Sequence, residues 1–569
     1  MLFLTVVVLV VGCTTTSTPD TTPPTTATTE PVATTTIALP PEHRIGVRQL
    51  AGVGEFYEAT TGERFTPRGM NYHIWADDVG GGYNDALLTV DHYDPAVVEA
   101  DLAAMATYGF NTVRIFLDGC HPASGCVGGK PTDTEVNPEF LDNLADFLRV
   151  AGDHGMVVLV ASNTLPDNSW WLHQTASLQD SQFESANNEF LNPEAVPIYV
   201  DYWRKVVAGI VERGATRNIL GYELRQEHHF HDNFAPLSLT SGQVSTANGA
   251  TYDMASEGDK DRMVDEGLTY WADTIRAEIR SVDSSALVTV GFFTPNAPNA
   301  VMPPDDRRLV RTSYFLRNST MDFFDLHHYP GNGVNDTRIW ENFDILDYDD
   351  KPLILGEFGA IKEWWPDAAT GAAAVMGLEV GACRVGFDGF IVWGWRGDLL
   401  QDIYWAGDGD REVAQVTAPL NRSDPCEYGV FDFVRFNVAL TATVTASSEL
   451  PGAEAAKAID GGIEHWNAAD RAPQWIEIAL PTPAIVDSVE LWVAQDPAGP
   501  SIHELWIQTG GDFALVHTFE GVTTEGDVLV YEPETPKANV TAVRVETTTL
   551  GDLAPAWHEL FIYSPFPPG

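Results

Sequence analysis

Eight short hydrophobic runs, each followed by a longer stretch, constrain the fold of this chain more than any other feature. The runs occupy residues 68–72, 112–117, 156–161, 218–223, 286–291, 323–327, 352–355 and 389–393. The stretches between them have helical periodicity, for example at residues 94–108, 138–152, 196–213 and 260–281. Eight strand-then-helix units over roughly 350 residues predict an α/β fold, a closed (β/α)8 or TIM barrel. The alternative, a doubly wound open sheet, requires a glycine-rich phosphate loop after an early strand, and the sequence has none there.

The pattern changes after residue 437. Helical periodicity ends there, and short alternating β-runs follow one another, as at residues 474–480, 488–493 and 542–546. This pattern predicts an all-β, jelly-roll-like sandwich domain at residues 437–566. The barrel domain is then assigned to residues 41–430, and a chain of 569 residues is long enough for both cores.

The charge of the chain excludes one class of partner. Asp and Glu number 81 against 32 Lys and Arg, which gives a formal net charge of -49. Such a negative field repels a phosphate backbone, so we expect no nucleic acid partner. A solvated acidic surface that keeps the protein soluble in salt explains the composition. Separately, we expect the protein to be a monomer.

The first residues are typical of an exported protein. Residues 1–13 form a short apolar run that ends in Gly12 and Cys13, too short for a transmembrane helix but suited to a signal peptide. Val10 to Cys13 resembles the lipobox of bacterial lipoproteins, in which the cysteine is lipidated. Because no Lys or Arg precedes the run, either the start lies upstream or the resemblance is accidental. The Thr/Pro segment at residues 14–40 predicts a disordered linker.

These features predict a bacterial lipoprotein of the cell envelope that faces outward, or a secreted protein, with the lipid at Cys13 as its sole membrane attachment. Export permits disulfides. Cys120 and Cys126 flank a Gly/Pro/Ser loop and are expected to pair, which leaves Cys383 with Cys426. A zinc site is disfavoured because the chain has no CxxC spacing.

Two glutamate-bearing segments carry the chemistry. Residues 221–227 and 351–359 are β-prone runs that stop at a carboxylate beside Gly, Gln or His. Carboxylates at the carboxyl ends of two strands far apart in sequence are what acid/base and nucleophilic chemistry on a glycosidic bond requires. The segments therefore predict a glycosidase.

Six motifs occur in an order that identifies a family. They are Arg68 to Tyr72, Thr112 to Ile115, Glu223 to Glu227, His327 to Pro330, Gly356 to Gly359, and Trp393. Over residues 45–420 the chain resembles family 5 glycoside hydrolases, retaining (β/α)8 enzymes of the cellulase and mannanase clan. The resemblance implies that Glu227, ending the fourth strand, is the acid/base, protonated near neutral pH by desolvation and a nearby carboxylate. It also implies that Glu357, ending the seventh strand, is the nucleophile, with the two carboxyls about 5–5.5 Å apart.

The resemblance assigns supporting roles as well. Arg114 is expected to pair with Glu357, Tyr329 to hydrogen-bond it, and His327 to bind the sugar or orient a carboxylate. Asn71 and His73 follow the first strand at the same mouth and are expected to bind substrate.

Tryptophans supply the expected sugar-stacking surfaces. Trp393 is the expected floor under a pyranose ring, and Trp395 is an alternative for that role. Trp170 and Trp171, in the loop after the third strand, are either further platforms or buried loop anchors.

The chain departs from the family pattern beside the acid/base. The family has Asn before it and often Pro after it, whereas this chain has Gln226 and His228. The Gln side chain is one methylene longer than Asn, so the hydrogen bond that the family's Asn donates to the sugar 2-hydroxyl is expected to be re-aimed. His228, His229 and His231 also raise the alternative of a metal site, but neighbouring histidines on an extended segment point to opposite sides.

The sandwich resembles the discoidin, or coagulation factor 5/8 type C, domain over residues 437–565. Its matching segments are Asn437 to Ala439, Thr445 to Ser448, Ala458 to Gly461, Trp466, Pro473 to Ile478 and Ala556 to Glu559. Bacterial versions attached to glycosidases are commonly family 32 carbohydrate-binding modules, with His465 and Trp466 near the usual rim. The resemblance implies that Asp460 and Glu559 help to hold a structural calcium; the alternative is an Asp-Gly turn and an edge glutamate.

Together these expectations describe a retaining glycoside hydrolase for a β-linked polysaccharide or oligosaccharide of β-glucan or β-mannan type. It needs no cofactor for catalysis and carries a carbohydrate-binding module. Gln226 and His228 keep a rival open, a catalytically impaired carbohydrate-binding lipoprotein, and a transglycosylase is a further alternative.

Overall fold

A computed structural model describes residues 43–75, 85–117, 125–295, 307–329, 336–365, 367–397, 402–407, 409, 411–462 and 464–567. The expected signal peptide with Cys13, the linker and Cys120 lie outside these residues. Within the described residues, no helix combines the length and the apolar character that a membrane crossing needs.

A hairpin of β1 (Ile45–Leu50) and β2 (Val53–Glu58) precedes the barrel. The next strands are β3 (Arg68–Asn71), β4 (Thr112–Phe116), β5 (Val157–Ala161), β6 (Ile219–Glu223), β7 (Phe230–His231), β8 (Gln243–Ser245), β9 (Thr251–Asp253), β10 (Val288–Thr289), β11 (Gly291–Phe292), β12 (Arg308–Leu309), β13 (Phe324–His327), β14 (Leu353–Phe358) and β15 (Gly389–Val392).

The helices of the barrel domain alternate with these strands. They are α1 (Pro95–Thr107), α2 (Pro138–Asp153), α3 (Trp170–Ser177), α4 (Ser185–Leu191), α5 (Val196–Glu212), α6 (Glu257–Val282), α7 (Ser313–Asn318), α8 (Asp336–Phe343), α9 (Ala368–Arg384) and α10 (Glu412–Thr417). Local sequence fixes several starts: Asn137 accepts from the second amide of α2, and Pro138 occupies its first position. Asp367 and Thr370 form a capping box on α9.

The barrel sheet is parallel, in the order β10-β6-β5-β4-β3-β15-β14-β13-β11. The predicted fifth strand is split at Val290: β10 pairs with β6, and β11 pairs with β13. This split strand therefore closes the ring, and the predicted (β/α)8 fold is confirmed.

Alternation along β13 divides the barrel interior into layers. Phe323, Asp325 and His327 share one face of the strand, and Phe324 and Leu326 pack outward among the helices. Phe323 lies in a lower apolar layer that the hairpin covers with Phe56, whose ring meets Phe323 edge-on at 5.2 Å. Apolar packing thus fills one end of the barrel, and charged groups occupy the other.

The sandwich contains β16 (Phe436–Asn437), β17 (Thr443–Ala446), β18 (Trp466–Asn467), β19 (Gln474–Val486), β20 (Ser488–Val493), β21 (Gly499–Gln508), β22 (Phe513–Thr523), β23 (Val528–Tyr531), β24 (Lys537–Thr549) and β25 (Ala556–Ser564). One sheet has the order β16-β25-β20-β23, with β18 also on β25, and the other has the order β17-β19-β24-β21-β22. All of their pairings are antiparallel, so the predicted sandwich is confirmed. A disulfide joins Cys383 of α9 to Cys426, as expected. Cys126 is also disulfide-bonded.

Candidate active site

Two glutamates lie at or just after the end of β6, and only the first belongs to the strand. Glu223 is the last residue of β6, so the expectation that Glu227 ends the strand is wrong. Glu227 lies in the following turn, where the amide of Gln226 donates to the carbonyl of Ser162 at 2.8 Å. The backbone φ of Glu227 is 44°, a left-handed conformation that costs energy in a residue with a Cβ. The turn thus re-aims this carboxylate into the barrel mouth.

Glu227 and Glu357 converge on one imidazole. Nδ1 of His327 lies 3.4 Å from a carboxylate oxygen of Glu227 and 3.4 Å from one of Glu357. The ligand-type atoms of these three residues all lie within 4.8 Å of one another. Tyr329 donates its hydroxyl to the second oxygen of Glu357 at 2.9 Å. The two carboxylates therefore face each other across a space that a glycosidic bond can enter.

Arg114 is the cation beneath this pair, and its main partner was not expected. Its Nε and Nη2 donate to both oxygens of Glu223 at 2.7 and 2.8 Å. Its Nη1 donates to Asn71 at 2.7 Å and to Glu357 at 3.2 Å. The expected pair with Glu357 thus exists, but the bidentate one is with Glu223. Sequence reasoning missed Glu223 as a site residue, although its place at the strand end could have indicated it.

The substrate-binding role expected for Asn71 is wrong. Its side chain is fully buried, its oxygen accepts from Arg114, and its nitrogen donates to the carbonyl of Gly356 at 2.9 Å. Both ends of the carboxamide are therefore committed to holding the site together.

Asp325 is a second residue that the sequence motifs did not single out. It is fully buried, and its oxygens lie 3.5 Å from Nε2 of His327 and 3.7 Å from Nε of Arg114. Its spacing of two residues from His327 on a β-run could have indicated that both side chains enter the barrel.

Burial and the His327 charge set the protonation of the site. Burial opposes the charge on His327, but Glu357 and Asp325 outweigh it and raise the pKa of His327 to about 10. Burial raises the pKa of Glu357, and the charge on His327 only partly offsets this. Burial also acts on Glu227, but the hydrogen bond and charge of His327 prevail and hold the pKa of Glu227 below its usual value. The free site thus differs from the expectation of a protonated Glu227. Burial raises the pKa of Glu223 to about 7 despite Arg114.

An aromatic wall closes one side of the mouth. Trp393 packs with Phe116 and Trp405 in an apolar cluster, and His73 lies 4.8 Å from the Trp393 ring and 5.9 Å from the Trp405 ring. His73 is buried, its pKa is lowered to about 3 by burial, and neither ring nitrogen hydrogen-bonds to any described residue. Neutral His73 thus offers polar atoms at the expected floor. Trp405 was missed because it lies in a loop with no periodic pattern.

Two of the tryptophans predicted to bind substrate have structural roles instead. Trp395 is buried, lies 6.3 Å edge-on from Tyr108, and has its Nε1 3.4 Å from an Asp101 oxygen. Trp171 is fully buried and donates to Asp201 of α5 at 3.0 Å. The platform role predicted for Trp395 is therefore wrong, and of the two alternatives left open for Trp171 the buried anchor is confirmed. Trp170 is half-buried beside Trp171, and its role stays a prediction.

The histidines after Glu227 form no metal site. The described residues contain three groups of possible ligands: Cys383 with Asp424 and Cys426, Glu223 with Asp325 and His327, and Glu227 with His327 and Glu357. The first contains the disulfide, and the other two surround Arg114 and His327. His228 is instead a core residue, whose ring meets the Phe190 ring edge-on at 4.4 Å. The side chain of Gln226 is half-buried at the mouth, and its role stays a prediction.

In the sandwich, Asp460 and Glu559 form a carboxylate pair. Oε1 of Glu559 accepts from the amide of Gly461 at 3.2 Å, whereas its buried Oε2 has no hydrogen-bond partner among the described residues. Burial, with the Asp460 charge, raises the pKa of Glu559 far above its usual value, and burial raises that of Asp460 to about 6. Trp466 is fully buried and donates to the carbonyl of Ser448. Neighbouring carboxylate oxygens are ligands that calcium prefers.

Comparison with known proteins gives the following matches. A family model described as Cellulase (glycosyl hydrolase family 5) matches residues 60–396, more than half of the chain. A search of curated proteins finds no match. An endo-1,4-beta-mannanase from Rhizomucor miehei is 16% identical over 66% of this chain and 99% of its own, with a TM-score of 0.48.

Two further solved structures match separate parts of the chain. An exo-beta-1,4-mannosidase from Opitutaceae bacterium strain TAV5 is 18% identical over 67% of this chain and 59% of its own, with a TM-score of 0.41. A family 32 carbohydrate-binding module from C. perfringens, solved with galactose, is 22% identical over 23% of this chain and 100% of its own, with a TM-score of 0.21.

Proposed function

The chain belongs to glycosyl hydrolase family 5 and is a glycosidase, and from this premise we propose that it hydrolyses a β-linked glucan or mannan with retention of configuration. One observation carries the proposal: carboxylate oxygens of Glu227 and Glu357 lie within 4.8 Å of one another across His327. Retaining glycosidases hold their two carboxyl groups about 5–5.5 Å apart, whereas inverting ones leave room for a water molecule between carboxylate and sugar.

In the first step, Glu357 acts as the nucleophile. One of its oxygens forms a bond to the anomeric carbon while the bond from that carbon to the leaving oxygen breaks, and the proton of Glu227 goes to the leaving oxygen. Arg114 and Tyr329 each donate a hydrogen bond to one of the two oxygens of Glu357 and hold it in place. In the second step, water attacks the same carbon, Glu227 takes its proton, and the Glu357 carboxylate is released.

Protonation of Glu227 must arise when the sugar binds. In the free site, the contact with His327 favours the ionised form. A sugar that enters between the carboxylates excludes water from Glu227, and desolvation favours the neutral acid. The ionised form of Glu357 is stabilised instead, because positive charge develops at the anomeric carbon beside it.

For the remaining parts of the chain, we propose that the sandwich is a carbohydrate-binding module that raises the local substrate concentration. We also propose that Asp460 and Glu559 hold a structural calcium, since the orphaned Oε2 of Glu559 lacks a counter-charge among the described residues. Export as a lipoprotein through Cys13, and a monomeric state, complete the proposal.

The test compares wild type with Glu357→Ala and Glu227→Ala on aryl β-glucosides and β-mannosides and on glucan, mannan and xylan. Either substitution should lower kcat by about 10³-fold or more. Glu278→Ala, at a half-buried glutamate of α6, is the control and should leave kcat unchanged.

Azide separates the two roles, since it replaces the missing group without needing a proton. With Glu227→Ala it should give a β-glycosyl azide, and with Glu357→Ala an α-glycosyl azide. Equal rates for wild type and Glu357→Ala would favour the non-catalytic carbohydrate-binding protein that Gln226 keeps open. Products longer than the substrate would identify a transglycosylase instead.

A further inference from the structure

The contacts of His327 leave one of its partners without a role in the proposed reaction. Four carboxylates surround the imidazole and Arg114: Glu223, Glu227, Asp325 and Glu357. Glu223 is the bidentate partner of Arg114, and Glu227 and Glu357 face the substrate space. Asp325 is fully buried beneath them, where its oxygens lie near His327, the Nε of Arg114 and an oxygen of Glu223, and it takes no part in either step of the reaction.

The backbone is shaped to admit this carboxylate. Leu326 pairs with Leu355, but His327 pairs with Glu357, so the register shifts by one residue and Gly356 is left without a partner. A Cβ on Gly356 would meet Oδ1 and Oδ2 of Asp325 at 2.0 and 2.4 Å. The same irregularity therefore brings Glu357 beside His327 and makes the space that Asp325 fills.

The two nitrogens of His327 face carboxylates on opposite sides of the ring. Nδ1 lies 3.4 Å from both Glu227 and Glu357, and Nε2 lies 3.5 Å from Oδ1 of Asp325. Arg114 cannot take the place of His327 as partner for Asp325, because its guanidinium already donates to Glu223, Asn71 and Glu357.

From this geometry we infer that Asp325 is a positioning residue: it holds His327 charged and oriented, so that one N–H is shared between the acid/base and the nucleophile. The inference rests on the proposed function for its effect on catalysis. The contact between Asp325 and His327 itself does not depend on which reaction the site performs.

The consequence concerns the alkaline limb of the pH profile. A charged His327 lowers the pKa of Glu357 and of Glu227. If Asp325 is neutralised, His327 loses an opposite charge and becomes neutral at lower pH, since one such charge within this distance is worth about 1–3 pKa units. His327 then loses its proton at lower pH than in wild type, so activity that depends on the charged imidazole falls earlier and the alkaline limb of kcat/KM moves downward. The acidic limb stays in place, because His327 is still charged there. Arg114, Glu223 and the Tyr329 hydroxyl also face these groups, and Glu223 loses a neighbouring like charge, which lowers its pKa.

The experiment uses the full chain with Asp325→Asn, which keeps the shape and can donate to a neutral Nε2, and Asp325→Leu, which can do neither. The matched control is Asp388→Asn, the same change at a buried aspartate that precedes β15 at the opposite end of the barrel. Two quantities are measured: the pH dependence of kcat/KM on the best aryl glycoside, and the pKa of the His327 ring by nitrogen NMR.

We expect Asp325→Asn to lower kcat by at least about 10-fold, to move the alkaline limb downward by about one pH unit or more while the acidic limb stays in place, and to lower the NMR pKa of His327 by a similar amount. Asp325→Leu should lower kcat further, and Asp388→Asn should change neither quantity. A folded Asp325→Asn protein with an unchanged His327 pKa overturns the inference, and so does a loss of kcat with an unmoved alkaline limb. If wild type cleaves no glycoside, the proposed function fails, and the NMR measurement still decides whether Asp325 charges His327.

Discussion

Gly356 has no side chain, and the carboxylate of Asp325 occupies the space where a Cβ would lie. Replacing Gly356 with Ala places a Cβ against both oxygens of Asp325, which is fully buried and has no room to withdraw. Overpacking of this kind costs about 1–3 kcal/mol of stability. Because Asp325 would be pushed from His327, we also expect kcat to fall by more than about 10-fold. Thermal unfolding and aryl glycoside kinetics measure the two effects.

Gly381→Ala is the matched control for that change. Gly381 lies within α9, and a Cβ there would meet nothing within 4 Å. Alanine is the better helix former by about 1 kcal/mol, so this variant should be slightly more stable, with kcat unchanged. If Gly356→Ala behaves in the same way, the close packing of Asp325 against β14 is refuted.

Between elements, buried ion pairs connect helix α9 to the end of the barrel that lies opposite the site. Glu379 of α9 accepts from Arg68 of β3 at 3.1 Å and from Arg422, and all three side chains are buried. Removing one partner of a buried ion pair typically costs about 3–5 kcal/mol, because the remaining charge is left uncompensated. Glu379→Ala should therefore lower the calorimetric Tm of the barrel markedly.

Asp153→Ala removes an exposed pair with Arg149 at the end of α2 and is the control for that prediction. Exposed pairs are worth about 0–1 kcal/mol, so its Tm should stay close to that of wild type. If the two variants have the same Tm, α9 does not depend on the ion pairs of Glu379.

The elements were predictable from the sequence, and the directions of side chains beyond them were less so. Apolar periodicity indicated the barrel strands within one or two residues, except for the split at Val290 and for β14, which runs three residues past the predicted end at residue 355. Glu227 was placed on a strand because periodicity carries no information about a left-handed turn. For Trp171, a platform and a buried anchor both stayed open, because a loop position does not reveal which layer the side chain enters. Asp325 belonged to none of the sequence motifs, and its place beside His327 depends on the bulge at Gly356, which the sequence pattern did not reveal.

For the molecule as a whole, the sandwich offers a test that is independent of catalysis. Asp460 lies close enough to Glu559 to raise its proton affinity, and Oε2 of Glu559 has no hydrogen-bond partner among the described residues. A cation that binds only the folded state stabilises it by about 2.7 kcal/mol at 100 times its Kd. Calcium added to protein treated with chelator should therefore raise the Tm of one calorimetric transition by about 5 °C or more.

Asp460→Asn distinguishes a bound ion from a general effect of salt. The amide removes the Asp460 charge that, together with burial, raises the pKa of Glu559, so the calcium-free variant should unfold at a higher temperature than calcium-free wild type. The same change removes a strong calcium ligand, so the rise in Tm on adding calcium should largely disappear. Sodium chloride at equal ionic strength is the control for screening. An equal calcium response in both proteins would mean that this carboxylate pair is only a turn and an edge residue, and that any calcium binds elsewhere.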